Sequence, residues 1–316
     1  MIFSEQALKK YLTKFSKLRR ADTPYGKAPH QPVFLLTIIE EIEKGDISTN
    51  EIKITPEIVA LFKENFALLC NQGHNANFFL PFNHLDKTFW HIQPNVGYKI
   101  NAAIRGFKGL QEVVDYGYFE NDLFDLLIQP VSRDALKDCL INTYFLDKKN
   151  AFLKIKYGGG GYLANLEKYL LNESKENPKA LLMDEEEEKF IRGGLFKKLV
   201  PQVYNSTCCF SGMRLISSFG FSMIDACHIV PFSVSKNDKV SNGIALCPNL
   251  HRAFDRGLLA VDNEFKIIVS TQFAEDVTNN YGLKMLENKP IQSPFGEIHN
   301  PLKENFEWHR NNIFKI

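Results

Sequence analysis

The chain has no apolar run approaching the roughly 18 residues that a membrane span needs. Its N-terminus shows no basic segment leading into an apolar stretch. Neither a membrane protein nor a secreted precursor is expected, and a cytoplasmic location follows. Cysteine is sparse: Cys70, Cys139, Cys208, Cys209, Cys227 and Cys247 are irregularly spaced. They outline no disulfide framework, and reduced thiols suit a cytoplasm. Net charge is only +1, so the chain as a whole offers no electrostatic pull on nucleic acid. There is no repeat of solenoid period.

What is present is an ordinary globular composition, 44% hydrophobic and 24% charged, in 316 residues. That length accommodates two domains, since single cores stop growing near about 250–300 residues. The charge is unevenly spread. Lys9, Lys10, Lys14, Lys17, Arg19, Arg20 and Lys27 stand against only Glu5 and Asp22 in the first thirty residues. Such an arm could track phosphates; it is equally the solvated face of a helix that buries Leu8, Tyr11, Leu12 and Phe15.

The patterning predicts an α+β chain. A helix runs from Ser4 to about Leu18, and a turn follows through Asp22–Gly26. A buried helix over Val33–Ile42 ends near Gly45, and another starts at Pro56. Residues 78–92 are aromatic and β-like, broken at Pro81, and residues 110–146 are helical. Gly158–Gly161 lack the Gly-Lys-Ser/Thr of a phosphate cradle and are expected to be a flexible joint. A short helical stretch, Leu163–Leu171, and an acidic run, Asp184–Glu188, follow; the run is expected to be a solvated face or linker. The expected division is a mixed helical/β domain at 1–157, a flexible linker at 158–186 and a second domain at 187–316.

Chemistry concentrates between Cys208 and Asp262. Cys208–Gly212 predicts a strand and turn. Asp225-Ala226-Cys227-His228-Ile229-Val230-Pro231 predicts a strand ending at proline. Asn242-Gly243 follows His228 by 14 residues, and His251-Arg252-Ala253-Phe254-Asp255-Arg256-Gly257 follows Asn242 by 9. This segment resembles the restriction-type branch of the HNH nucleases, whose fold is the ββα-metal arrangement. The resemblance is close over about 60 residues and looser over 190–270.

Phosphodiester hydrolysis needs an activated water, neutralisation of charge building on the phosphate, and help to the leaving oxygen. A neutral imidazole suits the first task, and His228 is assigned it. The resemblance implies that His251 is a metal ligand and that Asn242 ties down the loop that orients the base. Asp255, four residues after His251, shares its helix face. The implied cofactor is Mg²⁺ or Mn²⁺. One departure stands out: where many HNH sites carry a metal-binding aspartate, this chain has Cys227, a soft ligand. Asp225 lies two residues earlier, on the same strand face. It either supplies the missing carboxylate or makes a strand-end hydrogen bond. Arg252 either grips phosphate or sits on the helix surface. The Cys-x-x-Cys pairs of a structural zinc site are missing, so buried thiols are expected in place of zinc.

The front of the chain resembles the sulfur-binding domains that read phosphorothioate DNA in some modification-dependent restriction enzymes. The matching pieces are Gly26–Leu36, Leu80–Leu85 and Phe89-Trp90. The resemblance places His30 and Pro81 among pocket residues. Gln31 stands where a basic residue is common and Leu80 where an aromatic is common, with Lys27 and Arg105 able to restore charge.

The expected protein is therefore a metal-dependent endonuclease acting on double-stranded DNA, modified or not, in host defence. A homodimer is expected, because one HNH site cuts one strand. A DNA-binding module with a decayed nuclease site, for which Cys227 is the support, and a nuclease toxin acting on DNA or RNA stay open.

Overall fold

The computed structural model describes residues 2–70, 73–99, 104–178, 181, 183–218, 221–276 and 281–316, with side chains from Glu5 onward. The chain divides into two compact units. One comprises Met1–Ala164 and Lys179–Ile191, the other Asn165–Pro178 and Arg192–Ile316.

In the first unit, α1 (Ile2–Ser16) buries Tyr11 and Phe15, while Lys9 and Lys10 pair with Glu5 and Asp122. The basic N-terminal stretch is thus the outer face of an amphipathic helix. A hairpin of β1 (Asp22–Thr23) and β2 (Gly26–Lys27) leads into α2 (His30–Lys44). Gly45 closes α2 at φ 85°, where only glycine is unstrained, and its N–H bonds the last carbonyls. The next helix, α3 (Pro56–Leu69), has Thr55 Oγ accepting from the Ile58 N–H and proline in its first turn. Phe34 of α2 meets Phe62, Phe78, Phe82 and Trp90 edge-on, with centroids 5.5–6.5 Å apart. This aromatic cluster is the unit's core.

Two expected elements are corrected here. Phe79–His84 forms a helix, α4, and Pro81 sits in its first turn, where a missing N–H costs nothing. The strand β3 begins only at Trp90 and runs to Pro94. Within the expected helical region, α5 (Gly106–Val113) is followed by a strand, β4 (Val114–Phe119), paired antiparallel with β3 so that Trp90 faces Phe119. A Cβ on Gly117 would lie 2.2 Å from the Trp90 indole, so β4 needs glycine there. Helices α6 (Asn121–Ile128), α7 (Pro130–Tyr144) and α8 (Lys149–Tyr157) complete the run.

The glycine run is built in on both sides. Gly158 caps α8, its N–H reaching the Lys154 and Ile155 carbonyls. A Cβ on Gly161 would stand 2.5 Å from the Glu64 carboxylate, which pairs with Lys156 at 2.6 Å and accepts from the Leu163 N–H at 3.2 Å. The helix α9 (Tyr162–Leu170) follows, with Leu166 and Leu170 buried. The stretch 158–186 is therefore shared between the two units rather than lying outside both. The acidic run opens α10 (Glu185–Val203) through a reciprocal cap: the Glu187 N–H donates to Asp184 Oδ1 at 2.8 Å, and the Asp184 N–H to Glu187 Oε2 at 3.3 Å. Glu187 is not solvated. It is buried in an ion pair with Lys63, whose ammonium also donates to the Ala76 carbonyl.

In the second unit, residues 208–212 form a turn, flanked by a single bridge between Thr207 and Arg214, where a strand and turn were expected. Then come β5 (Asp225–His228), α11 (Phe232–Ser235), β6 (Gly243–Leu246), α12 (Pro248–Asp255) and the hairpin of β7 (Leu259–Val261) with β8 (Ile267–Val269). A last helix, α13 (Lys303–Asn312), packs on β7 with Phe306 and His309 buried. The His309 ring stacks on Phe254 at 3.7 Å, and its Nε2–H donates to the Phe254 carbonyl at 3.1 Å.

Breaking a buried ion pair on one side leaves an uncompensated charge, which typically costs about 3–5 kcal/mol. Glu187→Leu should therefore lower stability by about that much in urea unfolding, and Lys63→Met with Glu187→Leu should recover most of it. Burial lowers His309 from 6.5 to about 4. The unfolded chain then binds more protons across that interval, so the stabilisation is complete above pH 6.5 and fades as pH falls towards 4. His309→Gln should flatten this acid-side loss, as measured by urea unfolding at several pH values.

Candidate active site

The site is built on a two-stranded ribbon and one helix. The antiparallel pairing of β5 with β6 sets Asp225 opposite Leu246, Cys227 opposite Ile244 and His228 opposite Gly243. All four residues of β6 are buried, while β5 buries Cys227 and leaves Asp225 exposed. Pro248 then opens α12, which presents His251 and Asp255 one turn apart.

Asp225 and Cys227, alternate residues of β5, both meet α12. Asp225 Oδ2 lies 3.3 Å from His251 Nδ1, and the Cys227 thiol donates to Asp255 Oδ1 at 3.6 Å. His251 Nε2 lies 3.4 Å from Asp255 Oδ2. One donor atom each from Cys227, His251 and Asp255 lies within 4.8 Å of the others. Ligands around a single cation with bonds of 2.0–2.3 Å stand roughly 3.3–3.8 Å apart, so the three side chains fit one ion with little movement. Burial pushes the Cys227 thiol well above its usual range, and the charge of Asp255 pushes it the same way. A bound cation would reverse both effects.

His228 ends β5. Its ring stacks on Phe196 of α10, with centroids 3.7 Å apart and planes 6° from parallel. Gly243 makes this possible, because a Cβ there would lie 2.9 Å from the Phe196 ring. On its edge, His228 Nε2 is 3.3 Å from Asp238 Oδ1, and Asp238 is buried with Arg192 3.5 Å from its other oxygen. A carboxylate only accepts, so Nε2 carries the proton and Nδ1 keeps its lone pair. His228 and Asp255 line a single cleft of about 340 Å³, together with Pro231, Phe232, His309 and Ile313.

Asn242 is fully buried and spends its whole amide on the loop between the strands. Its Oδ1 accepts from the Val230 N–H at 3.0 Å; its Nδ2 donates to the carbonyls of Val230 at 2.9 Å and Asn237 at 3.0 Å, and to Ser235 Oγ at 3.4 Å. Arg252 is exposed on α12 and pairs with no acid among the described residues. Cys208 and Cys247 are free thiols outside the Cys227 cluster.

Sequence reasoning missed Asp238, Phe196, His309 and Ile313. Asp238 lies in a polar loop with nothing in its spacing to mark it, and the other three come from α10, α13 and the residue after α13, outside the motif.

In the first unit, the residues singled out from sequence are only partly gathered. His30 Nε2–H donates to the Asn75 carbonyl at 2.7 Å, and its ring packs on Phe66 and His74. Burial lowers the pKa of His30, which favours the neutral ring. Gln31 Nε2 donates to the His84 carbonyl at 3.0 Å, tying the start of α2 to the end of α4. On α4, Pro81 is buried and Leu80 is 40% exposed. Lys27, in β2, pairs with Asp22 at 2.7 Å, and Arg105 is exposed just before α5. A cavity of about 490 Å³ lies next to the His30 cluster, lined by His74, Asn75, Asn77, Phe107, Asp184 and Glu187 among others.

Residues 208–262 match the family described as HNH endonuclease. Among solved structures, the modification-dependent TagI restriction endonuclease is 22% identical, with a TM-score of 0.31, over 39% of this chain and 39% of its own. No curated protein matches the chain. The segment that matches the HNH endonuclease family, residues 208–262, contains the ribbon, the helix and each of the facing donor groups described above.

Proposed function

We propose that the chain is a divalent-metal-dependent DNA endonuclease of restriction type, with His228 as general base. The observation that carries this reading is the shared cleft: the His228 ring and Asp255 line one cavity, and Asp255 belongs to the donor cluster of α12. Asp238 holds the Nε2 proton of His228, so Nδ1 is the nitrogen free to take a proton from water. Phe196 fixes the plane of that ring, and Asn242 fixes the loop from which Asp238 reaches it.

Two partly exposed carboxylates, Asp225 and Asp255, would repel a DNA phosphate if nothing offset them. His251, Asp255 and their β5 neighbours are the residues that would hold a divalent cation. That ion would neutralise charge developing on the phosphate and on the leaving oxygen. Arg252, exposed on the same helix, is the residue that would contact the backbone of the substrate.

The first unit is proposed to bind double-stranded DNA, with His30, Gln31, Leu80 and Pro81 as its contact residues and Lys27 and Arg105 supplying charge. Phosphorothioate is the modification it would read. The role is host defence, and two protomers would make a double-strand break. Gln31 donates to a carbonyl and carries no charge, so the salt dependence of this unit's affinity should come from Lys27 and Arg105 alone and be small.

Supercoiled plasmid, prepared with and without phosphorothioate, tests these points when incubated with the protein and Mg²⁺, Mn²⁺, Co²⁺ or Zn²⁺. Nicked circles should form with a divalent ion and not with chelator. His228→Ala should lower the rate by about 10²–10⁴-fold, the usual worth of a positioned general base. Cleavage by His228→Ala at the wild-type rate would overturn the assignment. Retained DNA binding without cleavage under any ion would favour the decayed-site reading, for which Cys227 is the specific support. Asp238→Asn should reduce kcat and leave KM unchanged, because it disturbs the tautomer of the base and not the binding surface.

A further inference from the structure

We infer that the cation position of the HNH domain is a thiolate site, in which Cys227, His251 and Asp255 are the ligands and Asp225 is the outer partner of His251, and that it takes a borderline-soft divalent ion of the Zn²⁺ and Co²⁺ class in preference to Mg²⁺. This rests on the placement of a catalytic cation beside His228 proposed above, and it adds the ligand set and the ion.

Three features carry it. First, the Cys227 side chain is fully buried at the base of the cluster, with its sulfur turned towards α12, 3.6 Å from Asp255 Oδ1. The sulfur also lies 3.6 Å from the His228 carbonyl, so it sits between its own strand and the one carboxylate that α12 contributes to the cleft. Second, the two ring nitrogens of His251 face different acids. Nδ1 lies 3.3 Å from Asp225 Oδ2, and Nε2 lies 3.4 Å from Asp255 Oδ2. A neutral imidazole donates through one nitrogen only, so it can satisfy one of these carboxylates and must aim a lone pair at the other. If Nδ1–H goes to Asp225, the Nε2 lone pair joins Cys227 and Asp255. This is the carboxylate–histidine–metal arrangement, in which an outer acid sets the tautomer of a ligating ring. Third, the atoms that close on one point are a sulfur, a nitrogen and an oxygen.

Mg²⁺ demands octahedral oxygen ligands and sheds water reluctantly. Thiolate and imidazole instead select ions of the Zn²⁺ class. Three protein ligands with a fourth position left for water or substrate are the usual coordination of a catalytic zinc ion. On binding, the thiol of Cys227 gives its proton to solvent and its sulfur lone pair to the metal; no oxidant or reductant is involved.

Cobalt titration of the full chain tests this by absorption, independently of cleavage. Addition of Co²⁺ should produce a near-ultraviolet thiolate-to-cobalt charge-transfer band and intense visible bands from a four-coordinate ion. Excess Mg²⁺ should not displace it, and Zn²⁺ should. Cys227→Ser should abolish the charge-transfer band. Cys208→Ser should keep it, which sets aside the other thiol pair. Asp225→Asn should keep the band and weaken cobalt binding by about 10–100-fold, the usual cost of an outer-shell partner. If Cys227→Ser does not fold, as judged by circular dichroism, Asp255→Asn at an exposed position interrogates the same ion and should lose the intense visible bands.

A missing charge-transfer band, or one that survives in folded Cys227→Ser, overturns the inference. Nicking with Mg²⁺ that is unchanged by Cys227→Ser also overturns it and leaves the nuclease reading intact. A Cys227-dependent cobalt band in a protein that cuts nothing under any ion supports the thiolate site while removing the nuclease reading.

Discussion

The pairing of β5 with β6 is the constraint on which the candidate site depends. It is only four residues long on each strand, yet its register decides what every functional side chain meets. Asp225 and Cys227 fall on the side that α12 covers. His228 falls opposite Gly243, the position where the Phe196 ring can approach the backbone closely enough to stack on the imidazole. A slip by one residue would exchange the two faces of β5. Gly243 makes such a slip costly, because a residue with a side chain in its place would set a Cβ 2.6 Å from Val200 and 2.9 Å from the Phe196 ring. The packing of the ribbon thus sets the geometry of a polar site.

Much of the ribbon-and-helix unit was legible because its residues are local. His228, Asn242 and His251 lie within one short stretch, and proline and glycine mark its ends: Pro231 after the strand, Pro248 at the helix start, Gly257 after its end. The terminal signals of α2 and α3 were legible for the same reason. Other features were not. Phe78–Leu85 has the aromatic content of a strand, but Pro81 suits a first helical turn and the aromatics are needed at helical spacing around Phe34. Six residues of β4 were hidden between leucine-rich helices, and the glycine that marks them, Gly117, is explained only by the distant Trp90. Asp238 sits in a loop whose shape is imposed by Asn242, so no sequence period could reveal it. The same holds for His309 and Ile313, which α13 and the residue after it bring to the cleft from more than fifty positions beyond the motif.

The first unit shows how polar residues can be committed to architecture. Lys63, Glu187, Glu64, Lys156 and Glu40 form buried or half-buried pairs that hold the acidic run and the glycine run in place. Charges that look available from the sequence are therefore already spent. Gln31 is likewise used, linking two helices through a carbonyl. Arg105 is among the charged groups of this unit left exposed without a partner acid among the described residues.

Asn242-Gly243 is the dipeptide most prone to spontaneous deamidation in flexible chains, where the glycine nitrogen attacks the asparagine side chain to form a succinimide. Here the amide is held by four hydrogen bonds, and the Gly243 N–H is already bonded to the Val240 carbonyl. Neither group is free to reach the other. The folded domain shields its own most age-sensitive bond, and chemical damage at this position becomes a marker of molecules that have opened.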